Sequence, residues 1–371
     1  MVLTLSMSAE YVPEWGVTEA VREFFQNAID EEVRDVGNKM FFQYDEKNKV
    51  IQIGNKHSEL DISSLLFGST TKKNNHAMIG SHGEGYKIAT VVLLRLGKKV
   101  VFRNYCRKEL WQPRLVKSRK YGGTLIPTFF VEQMPIWKNS PEHNLIIEIE
   151  GITQEEYQKI EASNLHLQKL EGVKETLYGS IIEGEEYAGK VYVGGLFICT
   201  EPSLEVGLNF KPHTVRLERD RNMVDSFDIK WYAARMIESL QDTNIMKRSL
   251  ENYSGTYINA CHVSDNIKNE IAEDFINQYG VKAVPVSNQD DMEGMKKRGY
   301  KPVVVSNSKK NIIIESEYYT DVKQILETEK EKARPLYDRF CEFVEKIENH
   351  LDADEVAMAY EFVCEIENLT E

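Results

Sequence analysis

The chain is poor in the features that fix a fold by covalent or metal bonds. Its 371 residues include five cysteines, Cys106, Cys199, Cys261, Cys341 and Cys364. Their number is odd, their spacings are wide and no Cys-x-x-Cys occurs, which excludes a disulfide framework and a zinc ribbon. Cys261 and His262 are sequence neighbours, which is not ligand spacing. Inert thiols in a reducing compartment are the expectation. The longest apolar stretches, such as 91–94 and 191–199, are far too short to span a bilayer, so no membrane role is expected. Residues 1–15 lack a basic start followed by a long apolar run, which predicts no secretory signal and a cytoplasmic location. Internal repeats and low-complexity tracts are absent.

What remains is a soluble, globular composition, 42% hydrophobic and 28% charged, in a chain long enough for two or three domains. The net charge of −13 is unevenly spread. Residues 316–371 hold 16 acids and 6 bases, a net of −10, which leaves −3 for the rest. Residues 95–120 hold ten Lys/Arg and the single acid Glu109, with Phe102, Tyr105 and Trp111 interleaved. The overall acidity therefore does not exclude an anionic partner for one face.

Periodicity predicts an α+β fold. A helix over 18–34, capped by Thr18, is followed by a strand at 49–53, a short helix within 58–67 and a loop over 68–83. A helix at 86–96 and strands at 99–103, 123–131 and 144–150 complete a first domain, 1–152. Residues 153–180 look helical, within a connector of 153–186. A second mixed α/β domain, 187–315, is expected to carry strands at 191–200, 214–217, 283–286, 302–305 and 312–315. Its helices are expected near 226–248, 264–279 and 289–298. Residues 316–371 read as an acidic helical tail.

Two segments carry the chemistry. On the first helix, at about 100° per residue, Asn27 and Asp30 fall within about 40° and about 20° of Glu23. Val21, Phe24, Phe25 and Ala28 take the opposite side. The acid–amide–acid face is either a solvated stripe or one wall of a site. The second segment, Gly80-Ser81-His82-Gly83-Glu84-Gly85-Tyr86-Lys87, is a glycine-rich turn running into an apolar helix. Such a turn lets backbone N–H groups approach an anion at a helix start, although a simple tight turn has the same wording. A Walker P-loop is absent. A dinucleotide fold would place its glycines directly after the first strand, and here they follow a loop.

Residues 22–30, Arg-Glu-Phe-Phe-Gln-Asn-Ala-Ile-Asp, and 79–86, Ile-Gly-Ser-His-Gly-Glu-Gly-Tyr, together resemble two motifs of the GHKL ATPases. That superfamily comprises gyrase B subunits, ninety-kilodalton heat-shock chaperones, histidine kinases and MutL proteins. The first motif is especially similar to the chaperone version. The resemblance covers residues 15–150 and implies a two-layer α/β sandwich that binds and hydrolyses ATP with Mg²⁺. It implies Glu23 as general base, Asn27 as Mg²⁺ ligand and Asp30 near the nucleoside. It also implies phosphate contacts from the N–H groups of Gly80, Gly83 and Gly85, nucleotide binding by His82, Glu84, Tyr86 and Lys87 of the same segment, and 68–83 as a lid. These roles suit the chemistry: a carboxylate can deprotonate water, and Mg²⁺ takes few protein ligands.

One departure stands out. The family's Asp-x-Gly-x-Gly, whose Asp accepts the adenine amino group, is missing. Ile51-Gln52-Ile53 leads instead to Gly54-Asn55-Lys56, so Asn55 is the nearest candidate and Asp61 the next. An amide could face either adenine or guanine. A looser resemblance over 187–245 is to the chaperone middle domain. It implies Arg221, or alternatively Arg219, as a γ-phosphate contact. A surface ion-pair ladder is the alternative for those charges.

The leading expectation is a slow, chaperone-like ATP-driven switch acting on an unknown protein partner. Many relatives dimerise through the ATP domain, so a nucleotide-dependent homodimer is a further expectation. The alternative is a gyrase- or MutL-like subunit whose stretch 95–120 meets nucleic acid. A histidine-kinase role is discounted, because none of the fourteen residues before Trp15 is His.

Overall fold

The computed structural model describes residues 1–371 except 66–84, 135–141, 213, 216–224, 252, 289–291, 294, 297–298, 333–335 and 371. The chain divides into two compact units, Met1–Leu240 with Asn252–Ser254, and Gln241–Glu251 with Gly255–Glu371.

The first unit opens with strand β1, Val2–Thr4, and helix α1, Val17–Arg34. The α1 cap is Gly16, not Thr18: the Gly16 N–H donates to Glu19 Oε2 at 2.8 Å, satisfying a donor at the helix entry. Strands β2, Met40–Asp45, and β3, Val50–Asn55, form a hairpin. Helix α2, Gly85–Arg95, leads to β4, Lys99–Asn104, β5, Glu109–Lys117, β6, Leu125–Gln133, and β7, Leu145–Glu150. The seven strands pair antiparallel in the order β1-β6-β5-β4-β7-β3-β2.

Alternation along these strands makes two faces. Ile51, Ile53, Phe102, Trp111, Phe129 and Ile149 are fully buried against Val21, Phe24 and Ala28 of α1 and Val91 and Val92 of α2. The other face is polar, with Gln52 Nε2 donating to Glu148 Oε1 at 2.9 Å and Arg103 Nε to Glu148 Oε2 at 2.7 Å. Helix α3, Gln154–Ala162, joins the helical layer, stacking Tyr157 on Tyr44 at 4.2 Å. The architecture is α+β, a helical layer on one face of an antiparallel sheet.

Several local expectations are corrected. The segment 153–180 is α-helical only as far as Ala162, with one short 3-10 turn at Leu165–Leu167. It continues into β8, Val173–Glu175, and β9, Gly179–Ile182. The expected strand at 191–200 is a hairpin of β10, Lys190–Val193, and β11, Leu196–Thr200. Gly194 and Gly195 turn it at φ 57° and 81°, which only glycine adopts without strain. With β12, Gly207–Phe210, these strands form a second sheet, β11-β10-β12-β9-β8. Residues 214–215 are a bend, and 216–217 lie outside the described residues. The helix expected over 226–248 is two, α4, Ser226–Leu240, and α5, Thr243–Glu251. Gln241 at φ 49° breaks it, and the Asp242 carboxylate accepts from Asn244 and Ile245 N–H groups at 3.0 Å to restart it.

Among the described residues, the second unit includes α5, α6, Asp265–Tyr279, the parallel pair β13, Ala283–Val286, and β14, Lys301–Val304, and further helices. These are α7, Asn307–Ile314, α8, Glu317–Lys332, α9, Leu336–Ile347, and α10, Ala353–Thr370. The strand expected at 312–315 lies largely in α7. Ser306 Oγ caps that helix by accepting from Lys309 N–H at 3.2 Å, and Ile312 and Ile313 are fully buried. The helix expected at 289–298 falls partly outside the described residues. No helix among the described residues is long and apolar enough to cross a membrane.

Candidate nucleotide site

Helix α1 sets the site because it is buried on more than its apolar face. Phe24 enters the main core, and Phe25 enters a second cluster with Leu196 of β11. The face carrying Glu23 and Asp30 is not solvated either, since the two acids are 1% and 0% exposed. Burying two carboxylates without a purpose is costly, so this face is a wall and not a surface stripe. Asn27 is half-buried, and its Nδ2 donates to the Glu23 carbonyl at 2.8 Å. That bond commits the nitrogen end of the amide to the helix, and of the two ends only the oxygen has the chemistry of a cation ligand.

The glycine-rich segment reaches α1 at its last glycine. A Cβ built on Gly85 would lie 2.1 Å from Glu23 Oε2, so no side chain fits there while the carboxylate holds its place. Gly85 begins α2, and α1 and α2 share one core. The structure thus brings Glu23 and Gly85, 62 positions apart, into direct contact. Two residues further on, Lys87 is fully buried, with Nζ 5.7 Å from the centroid of the Tyr86 ring. Tyr86 donates to Ser64 Oγ at 2.9 Å, and burial pushes its phenol well above the usual range. The remaining candidates Gly80, His82, Gly83 and Glu84 lie outside the described residues, as do Arg219 and Arg221 and the proposed lid.

Arg22 ties the same stretch of α1 to the second sheet. Its Nη1 donates to the Phe197 carbonyl of β11 at 3.2 Å, its Nε lies 3.8 Å from Glu23 Oε1, and its guanidinium sits over Trp15. Sequence reasoning assigned Arg22 no role, because nothing in the order of residues places β11 beside α1.

Asn55, at the end of β3, is buried beside α1. Its Nδ2 donates to the Ala28 carbonyl at 2.9 Å and to the Asn38 carbonyl at 3.2 Å. Two carbonyls can only accept, so they settle which end of the amide is nitrogen. Asn38 was not foreseen. Its Oδ1 accepts from His57 N–H at 2.7 Å and its Nδ2 donates to Ser58 Oγ at 2.8 Å, which pins the turn after β3. Asp61, the second candidate for a base contact, is exposed. It accepts from Ser63 N–H at 2.8 Å and pairs with Arg107 at 2.9 Å.

This corner yields a counterintuitive expectation. Asn55→Asp restores the residue type of the resembling motif, yet it would set a carboxylate against two carbonyl oxygens and lose both bonds. We expect a loss of roughly 2–4 kcal/mol in urea unfolding, since a charged group is left buried and unsatisfied. An unchanged unfolding midpoint would show that the two carbonyls do not hold this side chain.

No protein-family model matches the chain, and no curated protein does. Among solved structures, it is similar to the ATPase region of Saccharomyces cerevisiae topoisomerase II bound to dexrazoxane. The TM-score is 0.35 at 8% sequence identity, covering 64% of this chain and 71% of that chain.

Proposed function

We propose that the first unit binds ATP with Mg²⁺ and hydrolyses it slowly, as a conformational switch of the GHKL type acting on a protein partner. The observation that carries this reading is the contact of Gly85 with the Glu23 carboxylate. It joins the two segments that, apart, would each be weak evidence. Glu23 and Asp30 are buried, Asn27 carries an amide oxygen one helical turn beyond Glu23, and the fully buried Lys87 carries a cation two residues after Gly85. That donor set fits a metal-bound polyphosphate: one neutral oxygen for the metal, one lysine for the anion and one acid for water.

In this reading Glu23 orients a water and takes its proton as the water oxygen bonds to the terminal phosphorus. The bond from that phosphorus to the bridging oxygen breaks, and ADP and phosphate leave. Mg²⁺, when bound, neutralises charge on the phosphate oxygens. Asn55 offers its amide oxygen, an acceptor, to the base. That favours the amino group of adenine and disfavours the carbonyl of guanine, because the amide cannot flip without losing its two carbonyl partners. Tighter ATP binding by one conformation than another is what would make turnover a switch.

The test is a calorimetric titration with a non-hydrolysable ATP analogue, with and without Mg²⁺. Wild type should bind in the presence of Mg²⁺, and Asn27→Ala should bind at least about tenfold more weakly, about 1.4 kcal/mol. Absence of binding by the wild-type chain would overturn the reading.

A further inference from the structure

Strand β5 leaves its neighbour early. It pairs with β6 along its whole length from Glu109 to Lys117, but with β4 only through Glu109, Leu110 and Trp111. Beyond Trp111 the β4-facing edge of β5 has no strand partner among the described residues, while β4 continues back to Lys99 against β7. The two strands therefore fork, and a cleft of about 470 Å³ opens between them. Leu94, Val100, Pro113 and Leu115 give it apolar lining, and Lys99 and Arg114 give it charge.

The charge at this fork is unbalanced. Most cations of 95–107 are matched: Lys98 to Glu156, Lys99 to Glu150, Arg103 to Glu148 and Arg107 to Asp61. Between Glu109 and Glu132, in contrast, the chain carries Arg114, Lys117, Arg119 and Lys120 and no acid. No acid lies in ion-pair range of these four among the described residues. Arg114 is exposed, lies over the Phe130 ring and bonds only the neutral Gln112 side chain, at 3.1 Å. Its guanidinium is held out at the cleft with its charge unanswered.

We infer that the fork is a docking groove for an acidic, extended segment of a partner protein, which adds as a strand to the open edge of β5. Main-chain groups of the edge supply hydrogen bonds, alternate apolar side chains of the segment enter the cleft, and its acids meet Arg114 and the cations of the hairpin tip. The edge is guarded against indiscriminate pairing. Pro113 carries no N–H, and the cations repel a second copy of the same edge. A neutral or basic strand meets those guards; an acidic one meets complementary charge. Phosphate backbone could answer the same cations, but it has no use for an open strand edge, which is why a peptide is the occupant argued for.

Fluorescence anisotropy with a labelled alternating valine–glutamate octapeptide tests this on the full chain at low salt. The octapeptide should bind at least about tenfold more tightly than its valine–lysine counterpart, and Arg114→Glu should weaken it by about tenfold or more. Arg114 is exposed, so the variant should keep the wild-type melting temperature. Hydrogen exchange should slow at Leu115 and Lys117, whose N–H groups point away from β6, when the acidic peptide is added, a readout that general charge attraction does not move. Equal binding of the two peptides, unchanged exchange at Leu115 and Lys117, or binding of a labelled oligothymidylate in place of the acidic peptide would each overturn the inference.

Discussion

Glu23→Gln should abolish most ATP hydrolysis while leaving ATP binding close to wild type. The substitution keeps the size and polarity of a side chain that is 1% exposed, so the packing of α1 against the sheet and beside α2 is retained. What it removes is the proton acceptor. Positioned general bases contribute about 10²–10⁴-fold, so a single-turnover rate should fall by at least about a hundredfold. Gly85→Ala approaches the same carboxylate from the other side. The added methyl would meet Glu23 Oε2 at 2.1 Å, and that oxygen is the end of a side chain that can swing aside. The fold should therefore survive and the rate should not, with a loss of about tenfold or more, because misplacing a catalytic group by about 1 Å is costly. Single-turnover hydrolysis and analogue binding, measured on both variants, separate the outcomes. A Glu23→Gln chain that hydrolyses ATP at the wild-type rate would remove Glu23 from the mechanism, whatever the binding result.

The site was legible in the sequence to the extent that it depends on local period. Glu23, Asn27 and Asp30 share a face because helical spacing requires it, and the structure confirms the helix that carries them. That this face is buried was not legible, because a wheel gives directions and not neighbours. The contact of Gly85 with Glu23 is a fact of tertiary packing between α1 and α2. Asn38 was invisible for a related reason. Its partners are Asn55, His57 and Ser58, which only the β2–β3 hairpin brings back beside it.

Local patterns failed where two signals competed. Ile312-Ile313-Ile314 read as a strand because β-branched residues favour one, but Ser306 starts a helix and burial supports it. The run 191–200 read as one strand because its apolar residues outweighed the two glycines that turn it. Strand β5 was not foreseen at all. Its Gln112, Arg114 and Lys117 look like a charged loop until β6 is seen to pair with every residue of it.

Removing Arg95 should cost more stability than any other single change to the surface of the first unit. The guanidinium closes the C-terminal end of α2 onto the segment that precedes α1. Nη1 donates to the carbonyls of Ala9 and Tyr11 at 3.1 and 2.9 Å, and Nη2 to those of Val12 and Trp15, both at 3.1 Å. Ala9, Val12 and Trp15 are buried, so water cannot fully replace the donor. Val12 sits at φ 45°, a conformation a β-branched residue avoids, and it is held there by the same clamp and by the Trp15 N–H. Hydrogen bonds to a charged donor contribute about 1.5–3 kcal/mol each and are not additive, so Arg95→Ala should cost roughly 3–5 kcal/mol. For a unit of this size that corresponds to a fall of about 10 °C in melting temperature. Arg95→Lys should recover little of it, since a point charge cannot place donors on four carbonyls at once. The same clamp sets where α1 begins, and so where Glu23 stands relative to Gly85. Differential scanning calorimetry of both variants decides the matter: an Arg95→Lys chain as stable as wild type would mean that charge alone, and not the fork of donors, holds the segment.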